Sequence, residues 1–132
     1  MQNTTLPQEQ VLEITLSIHG GLSLGDSAVT VKPDVVICTR KIRYPEQKTE
    51  VKEIPFARAD WDVLLKKLDL DILEKIKSGP TRQAADEQDE DFTILTNKRK
   101  ISFSNGLRDE NYNKMENFIY AVHALLHREH CC

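Results

Sequence analysis

Apolar and polar positions alternate from Leu12 to His19: Leu12, Ile14, Leu16 and Ile18 interleave with Glu13, Thr15, Ser17 and His19. A period of two puts each set on one face of a strand, so the segment predicts a strand with one face in a core. Gly20-Gly21 ends it, and Gly25-Asp26 offers a further turn. Ala28 to Val31 and Val35 to Tyr44 are rich in β-branched residues and predict strand. Pro33 interrupts them; it cannot donate to a ladder and marks an edge or a bulge. Pro45 to Lys48 reads as a turn and Thr49 to Phe56 as the returning strand. A loop centred on Glu46-Gln47 sets Ile42 against Val51, Arg43 against Glu50 and Arg40 against Glu53, and the two opposite-charge pairs favour that register.

The period then changes. Trp61, Leu64, Leu65 and Leu68 recur at helical spacing and give one apolar face, with Asp60 as the expected N-cap. Leu70, Leu73 and Ile76 extend this by a turn or a short second helix. Gly79-Pro80 stops it, Gly suiting a left-handed cap and Pro being unable to continue. Residues 78–91 are polar and aperiodic and predict a solvated loop. Phe92 to Phe103 predicts a hairpin centred on Asn97-Lys98, with Phe92 opposite Phe103 and Ile94 opposite Ile101. Asn97 tolerates the positive φ that such a turn asks for. After a turn at Asn105-Gly106, Tyr112, Met115, Phe118, Ile119, Val122, Leu125 and Leu126 form one stripe on a closing helix from Asn111 to His127. This order predicts an α+β domain: a mainly antiparallel sheet of about five to six strands with two main helices packed on one face. The expected organisation is a flexible arm over 1–10, the domain over 11–128 and a tail over 129–132.

The chain has 132 residues, of which 39% are hydrophobic and 30% charged, enough for one core without metal or disulfide staples. A net charge of −3 argues against a nucleic-acid partner, which calls for a clustered basic face. The short run Lys98-Arg99-Lys100 falls at the hairpin tip and reads as solvated surface. No apolar run approaches the ~18 residues of a membrane span, so no membrane partner is expected. The three cysteines, Cys38, Cys131 and Cys132, make no disulfide framework; Cys38 reads as a small buried hydrophobe, and the balance favours a reducing compartment. The polar residues 1–10 lack the apolar core of a secretory signal, which points to the cytoplasm; a leader removed ahead of Met1 would point to the periplasm instead.

Two clusters have the residue types of a metal site. His123 and His127 stand four apart on the closing helix, so both imidazoles could reach one ion, with His130, Cys131 or Cys132 as further ligands. The bland reading is that histidines are favoured near a helix C-terminus anyway, and Ala124 stands where a zinc protease needs its glutamate. Asp86, Asp89 and Asp91 offer closely spaced oxygens. A calcium loop counted from Asp86 would need Gly at 91 and Glu at 97, where the chain has Asp91 and Asn97. Gly20 to Gly25 lacks the Lys-Ser/Thr of a phosphate-binding loop, and no serine sits in a nucleophile elbow. No catalytic residue and no cofactor are therefore expected.

Several short motifs agree with one known family: the strand ending in His19-Gly20-Gly21, the W-x-x-L-L-x-x-L helix from Trp61 to Leu68 with Asp69 after it, the break at Gly79-Pro80-Thr81, and the hairpin closing as Ile101-Ser102-Phe103-Ser104-Asn105-Gly106 before a final helix. In these the chain resembles small bacterial α+β proteins of the emfourin type, protein inhibitors of thermolysin-like metalloproteases, and their relatives. The chain departs from them in the loop before the hairpin, which reads Asp86-Glu87-Gln88-Asp89, and in its long, charged strands from Val35 to Phe56. The resemblance implies a non-enzymatic binding protein with a protease as partner; the alternative is a metal-binding protein or small metal-dependent enzyme using the C-terminal His/Cys cluster.

Overall fold

A computed structural model describes residues 9–20, 25–43, 46–82 and 87–129. The expectations for residues 1–8, Gly21, Tyr44, Pro45, Asp86, His130, Cys131 and Cys132 lie outside them. Among the described residues six strands, β1 Val11–His19, β2 Gly25–Val31, β3 Val35–Ile42, β4 Lys48–Pro55, β5 Asp89–Thr96 and β6 Lys100–Ser104, form one antiparallel sheet in the order β4-β3-β2-β1-β5-β6. Four helices among the described residues complete the α+β fold: α1 Arg58–Leu65, α2 Leu70–Lys75, α3 Glu110–Lys114 and α4 Glu116–Arg128.

The strand alternation places the core. Ile14, Leu16, Val29, Val31, Val36, Cys38, Phe92, Ile94, Ile101 and Phe103 point from the sheet into one cluster, which Trp61 and Leu64 of α1, Leu73 of α2 and Phe118, Ile119 and Val122 of α4 close. Each fully buried residue of this size contributes about 1.5–3 kcal/mol. Leu12 was expected on this face and is instead exposed, because a bulge between Val11 and Glu13 shifts the register and turns Val11 inward.

The β5–β6 hairpin has the register expected of it, Phe92 against Phe103 and Ile94 against Ile101. Its turn does not use positive φ. Thr96 Oγ1 instead accepts from the amides of Lys98 and Arg99, and Asn97 exchanges two hydrogen bonds with Gln10. The β3–β4 register differs from expectation by three residues: Arg40 faces Glu50, Ile37 faces Glu53 and Ile42 faces Lys48. The described pairing ends at Ile42 with Lys48. Pro33 occupies neither an edge nor a bulge but the tight β2–β3 turn, closed by Lys32 N–H donating to the Val35 carbonyl at 2.9 Å.

Helix α1 starts at Arg58, with Ala57 rather than Asp60 at its N-cap; Asp60 lies in the first turn, where its charge suits the helix dipole. The closing helix is two helices. Met115 breaks it, and its sulfur accepts from the Asp69 amide at 3.4 Å, joining the break to the start of α2. Gly79 is not a left-handed cap: its requirement is space, since a Cβ there would stand 2.5 Å from the Asn105 carbonyl oxygen.

Candidate binding rim

The face of the sheet opposite the core carries mostly small and polar side chains. One cross-strand row runs Ser102, Thr93, Thr15, Thr30, Ile37, Glu53, and the next runs Ser104, Asp91, Ser17, Ala28, Thr39, Val51. An antiparallel sheet with one solvated face has this composition. Hydroxyls pair along it, Thr15 with Thr30 at 3.2 Å and Thr93 with Ser102 at 3.3 Å.

Charge gathers where β1 ends, β2 begins, β3 ends and β5 begins. His19 Nε2 lies 2.5 Å from Asp91 Oδ2, and Ser104 Oγ donates to the other oxygen of Asp91. One strand over, Arg43 donates to Asp26 Oδ1 at 2.9 Å, and the Gly20 amide reaches the same oxygen at 3.3 Å, next to the positive φ of Gly20. A pocket of about 270 Å³ opens between the two ion pairs, lined by His19, Asp26, Ser27, Thr39, Lys41 and Asp91. A second of about 510 Å³ shares Asp26 and Lys41 and continues over Arg43 and Lys48. His19 and Asp91 are each about a third or more exposed, so both can meet a partner. Ser104, Asp91 and His19 do not form a hydrolytic triad. In a triad the imidazole stands between hydroxyl and carboxylate, whereas here the carboxylate stands between the other two. The arrangement presents fixed donors and acceptors of both signs.

Beside this rim the structure reassigns the acidic segment. Asp89, expected in a solvated loop, opens β5 and is only 7% exposed. Its carboxylate accepts from Thr81 Oγ1, the Arg82 amide and Asn105 Nδ2, all at 2.8 Å. Those donors close the 80–82 segment over the sheet end, so Asp89 acts as a structural acceptor. Asp91 is engaged by His19 and Ser104.

The described histidines of the C-terminal cluster lie beside Glu90, Phe92 and each other. His123 Nε2 lies 3.3 Å from Glu90 Oε2, its ring meets Phe92 edge-on with centroids 6.2 Å apart, and the His127 ring stacks on it at 6.5 Å. The hydrogen bond from His123 holds the Glu90 carboxyl below the ordinary glutamate range, against the opposing effect of burial and with help from the charges of Arg82 and Arg108. Among the described residues no group of three or more His, Cys, Asp or Glu is arranged to hold a metal ion. Cys38 is buried in the apolar core, as expected, and is also disulfide-bonded, so the cysteines give no argument for a reducing compartment. No helix among the described residues is long and apolar enough to cross a membrane.

His19, Asp26 and Arg43 were legible in sequence only as a strand end, a turn residue and a cross-strand partner of Glu50. The signal that could have joined them is His19-Gly20-Gly21, a polar strand end before a glycine pair and one of the motifs of the resemblance. Comparison with protein-family models and with characterised proteins finds no match for this chain.

Proposed function

We propose that the chain is a non-enzymatic protein-binding module that docks its target on the rim formed by His19, Asp26, Lys41, Arg43 and Asp91. The observation that carries this reading is the gathering of two exposed ion pairs and two adjoining pockets at one end of the solvated sheet face. Ion pairs already formed in the free protein lower the ordering cost of binding and present charge in fixed register to a partner. The resemblance names the target class, a thermolysin-like metalloprotease, and the His19-Gly20 segment that contributes to the resemblance lies on the rim. A disulfide at Cys38 suits the oxidising surroundings in which secreted proteases act.

The test is titration of the purified chain into a panel of thermolysin-like proteases. Saturable loss of peptidase activity is expected for at least one, with the double variant His19→Ala/Asp91→Ala weakening inhibition about tenfold or more, about 1.4 kcal/mol. Neither inhibition nor binding across the panel removes the protease reading. Inhibition that survives the double variant unchanged moves the contact away from the rim.

A further inference from the structure

We propose that two copies of this chain join through their β4 edges, in antiparallel register about Val51, into one continuous sheet. Strand β4 is one of the two edge strands of the sheet, and the residues from Lys48 to Glu53 are all exposed. Val51 is 62% exposed at its middle. The ladder fixes which of its backbone groups are free. Phe56 N–H donates to the Asp34 carbonyl at 3.0 Å, and the pairing continues unshifted as Val36 with Ile54, Cys38 with Lys52 and Arg40 with Glu50. Hydrogen-bonded pairs alternate in an antiparallel ladder, so the even-numbered residues of β4 turn their N–H and C=O toward β3. Thr49, Val51, Glu53 and Pro55 turn theirs outward. Pro55, which has no N–H to offer, stands at the strand end on the outward side, where edge prolines are tolerated.

An exposed edge of this kind is a template for another strand, and charged residues usually guard it. Here the charges select a partner. A two-fold axis normal to the sheet must pass through one residue of β4, since only then do facing residues share a side of the sheet. Centred on Val51, Glu50 of each copy faces Lys52 of the other, Val51 faces Val51, and Lys48 to Ile54 pair along their length. Centred on Glu50, Lys48 meets Lys52 and Glu50 meets itself. Centred on Lys52 or Glu53, that residue meets its own copy, and centred on Thr49 only Lys48 to Glu50 of each strand overlap. Opposite charges across a strand pair stabilise it and like charges destabilise it, so the Val51 register stands alone among the five. In it Val51 exchanges two backbone hydrogen bonds with its counterpart, and Thr49 and Glu53 exchange theirs. The occupant of the edge is thus a second copy, whose sequence is complementary to itself.

The test uses sedimentation over a concentration series. Wild type is expected to pass from monomer to dimer as concentration rises. Val51→Pro removes the central outward N–H, which serves no bond to β3, and should stay monomeric with its circular dichroism spectrum kept. Glu50→Lys alone and Lys52→Glu alone put like charges across the interface and should each stay monomeric. An equal mixture of the two single variants restores every charge pair and should form the heterodimer, which also shows that both remain folded. A wild type that is monomeric throughout overturns the proposal, as does dimerisation that persists in Val51→Pro or a mixture that fails to associate.

Discussion

Asn105 shows how much one side chain sets at the sheet end. It is 5% exposed and sits at φ 48°, a left-handed conformation that costs most side chains but that asparagine accepts. Its Oδ1 accepts from the Glu90 amide at 2.9 Å, and its Nδ2 donates to the Pro80 carbonyl at 3.0 Å and to Asp89 at 2.8 Å. Asn105→Ala should lose about 3 kcal/mol in urea unfolding, from the lost buried hydrogen bonds and the strained backbone together. Asn105→Gly, which relieves the backbone but not the amide, should recover about 1 kcal/mol of that. If the two variants are equally stable, the φ contributes nothing. Glu90, whose amide Asn105 holds, carries the acid response. Its carboxyl is held low when folded, chiefly by the hydrogen bond from His123. The unfolded chain therefore binds the proton more readily, and the stabilisation is complete above the ordinary glutamate value and lost as pH falls through the lower folded value. Glu90→Gln should be less stable than wild type at neutral pH, with the difference closing below about pH 4. A gap that stays constant from neutral to acid pH would show that the His123–Glu90 contact does not set the titration.

Among the elements, the two short helices depend on their caps and the loop between α2 and β5 on one close approach. Asp69 caps α2 by accepting from the amides of Asp71 and Ile72, and Asp109 caps α3 in the same way from Asn111 and Tyr112. Gly79 donates its amide at 2.9 Å to both the Ser104 and the Asn105 carbonyls, an approach that leaves no room for a methyl group. Gly79→Ala should cost about 2–3 kcal/mol, read as a lower urea midpoint with unchanged slope; a near-neutral result would mean the segment gives way. The elements that could be read from sequence are those whose apolar spacing decides them: β1, the β5–β6 hairpin with its register, and the stripes of α1 and α4. Those that could not are set by partners distant in the chain. The break at Met115 is fixed by a sulfur contact with Asp69, invisible in a stripe that continues through it. Asp89 looked like one more acid of a loop because its donors, Thr81, Arg82 and Asn105, surround it only in three dimensions. The rim was hidden for the same reason, since His19, Asp26, Arg43 and Asp91 meet through strand pairing. Arg99 shows the same effect within a run read as solvated: it binds Glu9 at 2.8 Å and both Asp71 and Glu74 at 3.0 Å, tying Glu9, at the end of the expected N-terminal arm, to the hairpin tip and α2.

Across the whole molecule, the order β4-β3-β2-β1-β5-β6 is that of two meanders joined at β1, and the chain crosses from one to the other through α1 and α2. Non-local pairing of β1 with β5 is the step that unites them, and closing so long a loop carries an entropy cost that local contacts cannot offset until the core is assembled. Helix α4 then packs across β1 and β2 and ends at β3, where the Glu129 carbonyl oxygen lies 4.0 Å from Cys38 Sγ. The disulfide of Cys38 is thus anchored in an inner strand beside the end of the last helix. A cross-link from such a place restricts the unfolded chain more than it alters the folded one, and bonds of this kind contribute about 2–4 kcal/mol. Reductant should therefore lower the urea midpoint of the wild type, while Cys38→Ala should start at the reduced value and not respond to reductant. The helical and strand signals in circular dichroism should persist in both, because the core around Cys38 is apolar and closed by α4 without the bond. A midpoint indifferent to reductant would show that the disulfide does not support the fold in solution, and would leave the apolar core that β3 and α4 share as what holds the two together.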